Sequence, residues 1–352
     1  MSRAAICSIK EWSQRKAKAI SLKDLYQYNL NVSPKQRLRN AEFLLQELPI
    51  RLAQRIDELS NLPFGLSHNR NIESVKNIYV NGFNDLILCG KPDSIEEDTF
   101  FTGLLSRMLK DHSAVVQTVA LGVLEVRKEI HFDSSMNEIL NLYLNRFFMA
   151  RIGVRFLIEQ HIQSKNNRVG YSGIIQSNCD PVAVTRIAAS DAVALCERQF
   201  GVAPEIKICA PHDINFTYVP GHLSYIISEL LKNSLRATVS HYNEGEKLPA
   251  VEVSLSLILS LWHSLYLSSL VNKVVIVKGP NDVTIKVSDK GGGIPYNKVD
   301  NIWNYVTTDT TPTSTQRKKL ARLEFRDASM ELISAGGIRL NTFILTPIAN
   351  GN

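Results

Sequence analysis

Between residues 283 and 295 an alternating run ends in an acid and three glycines: Val283, Ile285 and Val287 are separated by polar residues, and Asp289-Lys290-Gly291-Gly292-Gly293-Ile294-Pro295 follows. The two-residue period predicts a half-buried strand. The glycines then require a sharp turn, because glycine takes positive φ without steric cost and lets backbone approach a neighbour or ligand closely. An aspartate at that point can accept a hydrogen bond from an exocyclic amine. On its own the run also fits a tight surface turn.

A second segment narrows the choice. Residues 220–240 predict a helix opened by Pro220 and Gly221, with Leu223, Ile226, Ile227, Leu230 and Leu231 on its apolar face. Glu229 and Asn233 are four apart and project from one side, and Lys232 and Arg236 form a second such pair. Carboxylate and amide oxygens are hard ligands suited to Mg²⁺, which bridges a few protein oxygens to phosphates. A solvated helix face is the alternative for this pair alone. Helix and strand together outline a nucleotide pocket, with Asp289 able to accept from an adenine amine.

The remaining chain sets the frame. Its 352 residues suggest two domains, and 44% hydrophobic content is enough for two cores. Apolar residues recur at helical spacing over about 35–59, 72–88, 99–130 and 136–163, which predicts four helices in a bundle, the first kinked at Pro49. From about 170 the pattern changes to α/β: a short strand at 171–175, a helix at 181–200 and a strand at 205–209. Net charge is +6 and the pI near 9.0, but the positive charges are dispersed except at Arg317-Lys318-Lys319, and no aromatic-basic motif points to nucleic acid. Five cysteines without C-x-x-C spacing argue against zinc and for a reducing compartment. Residues 1–20 carry five basic residues against Glu11, the composition of a mitochondrial transit segment or of a basic, frayed terminus. Residues 253–272 hold no formal charge. Twenty such residues are long enough to span a membrane, but they interrupt a soluble nucleotide fold, so an apolar insertion is the favoured reading and no span is expected.

The helix and glycine run resemble the N box and first glycine box of the GHKL ATPase superfamily. Other stretches are similar to the mitochondrial 2-oxoacid dehydrogenase kinases: Phe43-Leu44-Leu45-Gln46-Glu47-Leu48-Pro49, Asn61-Leu62-Pro63-Phe64-Gly65, Asp111-His112-Ser113-Ala114-Val115-Val116, Arg151-Ile152-Gly153-Val154-Arg155 and Glu229 through Thr238. The resemblance runs from about residue 20 to 311 apart from the insertion. It implies a four-helix regulatory bundle over 21–165, then a histidine-kinase-like GHKL α/β sandwich over 170–352. It also implies a matrix enzyme that uses ATP and Mg²⁺ to phosphorylate serines on the dehydrogenase component of a pyruvate or branched-chain complex, switching it off. The implied partners are that component and an acidic lipoyl domain, and the implied assembly is a homodimer.

By the same resemblance, Glu229 is the base or orienter for the serine hydroxyl and His112 orients Glu229. Asn233 binds Mg²⁺, Asp289 holds adenine, Gly291 and Gly293 shape the pocket wall, Lys232 and Arg236 approach phosphates, and Thr307 and Thr308 contact nucleotide from a lid that begins at Asn301. Glu252 and Lys278 flank the insertion where the family has one continuous strand. Tyr225 and Cys196 through Pro204 lean towards the branched-chain enzyme, and Gln160-His161-Ile162 towards the pyruvate enzyme. The second glycine box has no match in 312–352, where Gly336-Gly337 stands alone. That departure opens a second reading: a catalytically impaired nucleotide-binding regulator that docks on the complex.

Overall fold

The computed structural model describes residues 9–28, 33–130, 132–166, 168–210, 215–243, 245–254, 277–278, 283–294, 305 and 343–345. They fall into two compact units, one running to Gly173 and taking in Tyr305, the other running from Ile174 and taking in 343–345.

The first unit is helical: α1 (Leu22–Tyr28), α2 (Pro34–Ser60), α3 (Arg70–Leu88), α4 (Ile95–Asp111), α5 (Val115–Glu129) and α6 (Ser134–Gln163), followed by the short β1 (Tyr171–Ser172). The starts are set locally. Ser33 Oγ accepts from Gln36 N ahead of Pro34, Asn69 Oδ1 from Asn71 N, Ser94 Oγ from Glu97 N, and Asp133 Oδ1 from Met136 N. Each side chain satisfies an amide that the first helical turn leaves without a partner. Along α2 the buried residues Ala41, Leu44, Leu48, Leu52, Ile56 and Leu59 step by three or four, as read from sequence, and the helix runs unbroken through Pro49. That stripe packs on α3 and α6, while α3 packs on α5 and α4 on α6. Trp12 meets Phe83 edge-on, with ring centroids 6.2 Å apart. Tyr305 lies on α6: its N–H donates to Asn141 Oδ1 at 3.2 Å, its hydroxyl to Asn145 Oδ1 at 2.9 Å, and its ring is 5.2 Å from Phe148.

Two expectations change here. The helix expected over 99–130 is two helices, broken at His112–Ala114, so His112 is the cap of α4 rather than a mid-helix residue. The apolar stripe hid the break because Met108 and Val115 are seven apart and stay in phase across it. The strand expected over 171–175 is split at Gly173 into β1 and β2 (Ile175–Cys179).

The second unit holds β2, α7 (Pro181–Phe200), β3 (Ile206–Cys209), β4 (Phe216–Tyr218), α8 (Pro220–His241), β5 (Val251–Ser254), β6 (Val277–Lys278), β7 (Val283–Ser288) and β8 (Phe343–Leu345). β2 and β4 pair antiparallel. β3 runs parallel to β5, and β5 antiparallel to β7, which also pairs with β6 and β8. The small residues Ala188 and Ala192 of α7 and the leucines of α8 share one core with Val251, Val253, Ile285 and Val287 of the sheet. Alternation along β7 puts Ile285 and Val287 into that core. Among the described residues no helix is long and apolar enough to cross a membrane, and residues 255–272 of the apolar stretch lie outside them.

Candidate functional site

The site is built on α8 and on the turn that follows β7. Pro220 opens α8, where its missing N–H removes no helical hydrogen bond. Leu223, Ile227, Leu230, Leu231 and Leu235 turn into the core. Burying that face leaves Glu229, Asn233, Ala237 and His241, each four apart, along one side of the helix.

The glycine turn lies on the lower half of this side. A Cβ built on Gly291 would stand 2.4 Å from Ala237 Cβ and 2.7 Å from Ala237 C, and one built on Gly292 would stand 2.6 Å from His241 Nδ1. Gly292 and Gly293 also take φ of 82° and 70°, which side chains disfavour. Asp289 Oδ1 accepts from Gly291 N at 2.9 Å and so folds the turn through its own side chain. Its second oxygen is the one available to a ligand amine.

The upper half carries the polar pair. Glu229 is buried, at 8% exposure, and Lys232 Nζ donates to its Oε1 at 2.5 Å. Among the described residues Glu229 is the only buried charged side chain of this unit. Burying a carboxylate is unfavourable unless it is paired, and the single ion pair leaves Oε2 for another partner. Asn233, one turn on, is exposed. Mg²⁺ retains most of its waters and needs only one or two protein oxygens beside phosphate, so one exposed amide oxygen next to a buried carboxylate fits it. No cluster of three His, Cys, Asp or Glu suited to a metal occurs among the described residues.

The structure therefore brings Glu229, Lys232, Asn233, Asp289 and Gly291 onto two neighbouring segments of one unit. Arg236 is half-buried on the same helix and Gly293 is exposed at the end of the turn. Thr307, Thr308 and Gly336-Gly337 lie outside the described residues. Ala237 and His241, which receive the glycine turn, were not singled out from sequence. Their four-residue step from Asn233 was the signal that could have found them.

His112 belongs to the helical unit. Its ring lies 4.6 Å from that of Tyr79, its carbonyl accepts from Arg151 Nη2 at 2.8 Å, and neither ring nitrogen has a hydrogen-bond partner among the described residues. Burial, reinforced by Arg151 and Arg155, pushes its pKa down to about 4, so the imidazole is neutral at physiological pH. Burial pushes the Tyr79 hydroxyl up to about 12.

The same unit holds a cavity of about 890 Å³, with Ile20, Leu25, Phe43, Leu44 and Leu157 in its wall and Lys18 and Arg39 among its polar residues. A volume of this order accommodates a small ligand or a flexible side-chain-sized group.

The sequence matches the family model for mitochondrial branched-chain alpha-ketoacid dehydrogenase kinase over residues 19–176. It is 32% identical over 310 residues to the mitochondrial [pyruvate dehydrogenase (acetyl-transferring)] kinase of Arabidopsis thaliana, covering 86% of this chain and 78% of that protein. Isozyme 4 of the human kinase is 33% identical over 77% of this chain and 64% of its own length, and the Drosophila melanogaster kinase 31% identical over 82% and 68%. The class these relatives share is the protein kinases. Within it, the chain belongs to the mitochondrial 2-oxoacid dehydrogenase kinase family.

Proposed function

We propose that the chain is an ATP-dependent protein serine kinase that phosphorylates and inactivates the dehydrogenase component of a mitochondrial 2-oxoacid dehydrogenase complex. The observation that carries this reading is the buried Glu229 beside the exposed Asn233, on a helix whose next turn receives the Asp289–Gly292 backbone. In fold terms we read the helical unit as the family's four-helix regulatory bundle and the second unit as its GHKL sandwich.

Phosphoryl transfer asks a protein mainly to position groups and neutralise charge. Asp289 would accept the adenine amine through the oxygen not used by Gly291, and the glycine turn would let the base lie close to α8. Asn233 would hold Mg²⁺, which when bound would offset the negative charge of the phosphates. Glu229 would accept the proton of the serine hydroxyl or align it through a water. Lys232 pairs with Glu229 and holds its carboxyl in place, and Arg236 is the cation we assign to phosphate. Thr307 and Thr308 complete the lid in this reading, and His112 keeps the orienting role towards Glu229 that the family implies. A mitochondrial matrix location, an import signal in residues 1–20 and a homodimer belong to the same proposal.

The curated relatives, which overlap more than three quarters of this chain, are named for pyruvate dehydrogenase, whereas the branched-chain family model spans residues 19–176. On that ground we place pyruvate dehydrogenase ahead of the branched-chain enzyme as substrate. The cavity of the helical unit, lined by Ile20, Leu25, Phe43 and Leu44 as well as by Lys18, Arg39 and Asp24, is where we place the lipoyl arm of an acidic partner domain.

The test is transfer of labelled phosphate from ATP to each purified dehydrogenase, with Glu229→Gln as control. Serine labelling by the wild-type chain, reduced at least a hundredfold in the variant, supports the proposal. Tight Mg-ATP binding without labelling replaces it with the impaired regulator that the missing second glycine box favours. A folded chain that neither binds nor transfers sinks both.

A further inference from the structure

The register of the strands around β7 carries information that does not depend on the kinase reading. β6 pairs Val277 with Thr284 and Lys278 with Val283, and β8 pairs Ile344 with Thr284 and Leu345 with Val283. Two strands opposite the same two residues must lie on opposite edges of β7. β5 pairs Glu252 with Ser288, Val253 with Val287 and Ser254 with Lys286, so it shares an edge with either β6 or β8.

On the β8 edge, Ser254 and Phe343 would face the neighbouring residues Lys286 and Ile285. They would stand about 3.4 Å apart along the edge, one strand step. Cα atoms approach to about 3.8 Å only when a peptide bond joins them, so that edge is excluded. On the β6 edge, Ser254 and Val277 face Lys286 and Thr284, with Ile285 between them. Both strands run antiparallel to β7 and so in one direction.

We infer that β5 and β6 are the two halves of a single strand, and that 21 surplus residues have been inserted into its middle without altering the register on either side. From Lys286 to Thr284 is two steps along β7, while from Ser254 to Val277 is 23 along the chain, which leaves the 21. Removing Leu255–Val275 would join Ser254 to Ile276 and set Ile276 opposite Ile285, which is 1% exposed. Apolar cross-strand pairs of this kind stabilise a sheet. Any other length would shift Val277 and Lys278 against β7, and a one-residue slip turns side chains to the wrong face. The register on either side of the insertion therefore sets its length to a single residue.

The test compares the full chain with three deletions: 255–275, which removes 21 residues, and 256–275 and 254–275, which remove 20 and 22. Thermal unfolding of each needs no nucleotide and no substrate, so failure here is distinct from failure of the kinase proposal. The 21-residue deletion is expected to unfold at or above the temperature of the full chain, with the other two lower by about 4 °C or more, the shift of a strand slip in a chain of this size. The inference is overturned if all three unfold together, high or low. In the intact chain, hydrogen exchange gives a second reading: the amides of Val253 and Val277 should open with a common protection factor, and protection differing more than tenfold would also overturn it.

Discussion

The two units bury polar groups in opposite ways. In the helical unit charged side chains sit inside the core and pair with one another there, several keeping one polar atom without a hydrogen-bond partner among the described residues. Arg37 pairs with Asp98 through Nε, donates from Nη1 to the carbonyl of His161 at 3.0 Å and to Ser164 Oγ at 2.9 Å, and from Nη2 to Thr102 Oγ1 at 2.8 Å. His161 Nε2 stands 3.2 Å from Asp98 Oδ1. Five residues from α2, α4 and the end of α6 are locked into one network. In the α/β unit, among the described residues, the core is mainly aliphatic and the buried charge is Glu229, paired at one oxygen. A network tied across three helices fixes a fold, with Asp98 Oδ1 and His161 Nδ1 its only atoms without a hydrogen-bond partner among the described residues. A buried carboxylate left with spare capacity beside an exposed amide is poised for something outside the chain.

The largest expected effect tests the buried network of the helical unit. Asp98→Ala leaves Arg37 buried without its counter-charge, and breaking a buried pair from one side costs about 3–5 kcal/mol. Chemical unfolding should show that loss, with the affinity for Mg-ATP unchanged; a loss under about 1 kcal/mol would mean the network does not hold Arg37 as described.

Acid should act on the same unit. The folded pKa of His112 lies near 4, below its ordinary 6.5, and burial also lowers that of His161. Between those pH values the unfolded chain binds protons that the folded chain refuses, so stability is full above about pH 6.5 and declines as the pH falls towards 4. At about 1.4 kcal/mol per unit, His112 contributes on the order of 3 kcal/mol to that decline. Unfolding as a function of pH in His112→Gln should show a correspondingly shallower slope, and an unchanged slope would remove His112 from this account.

Smaller effects distinguish the open site. Gly291→Ala forces a Cβ against Ala237 and should cost about 1–3 kcal/mol as an overpacked contact, with nucleotide affinity falling as the turn leaves α8. Calorimetry showing unaltered affinity would mean that the turn does not shape the pocket. Asp289→Asn keeps an oxygen for Gly291 N but exchanges the carboxylate for an amide. Unfolding should move by less than about 0.5 kcal/mol, while Mg-ATP affinity drops at least tenfold, about 1.4 kcal/mol. Equal loss in both measurements would make Asp289 a structural residue. At the bottom of the range, Arg107→Ala removes an ion pair with Asp85 whose side chains are 61% and 45% exposed, and should change stability by no more than about 0.5 kcal/mol.

Much of this was legible in the sequence. The apolar period placed α2, α3, α7 and α8 to within a few residues, because what starts these helices is local: in the structure the side chains of Ser33, Asn69 and Asp180 each accept from amides of their own first turn, and Pro220 opens α8. The break at His112 was not legible, since no glycine or proline marks it and the apolar stripe stays in phase. The four-residue step from Glu229 to Asn233 was plain in sequence, but its continuation to Ala237 and His241 acquired meaning only when the glycine turn was seen to rest there.

What the sequence by itself determined is the pair of segments that form the site and the helical and α/β halves of the chain, because periodicity, caps and glycine act over a few residues. The tertiary structure alone decided which polar groups are spent. Arg37, Asp98 and His161 are far apart in the chain, and nothing local distinguishes them from Lys232 and Glu229. Whether a charge ends in a buried network or keeps a free oxygen depends on what packing brings to it. The register of β5 and β6 against β7 is the same kind of fact: the insertion was visible as composition, but its length was set only by pairing with a third strand.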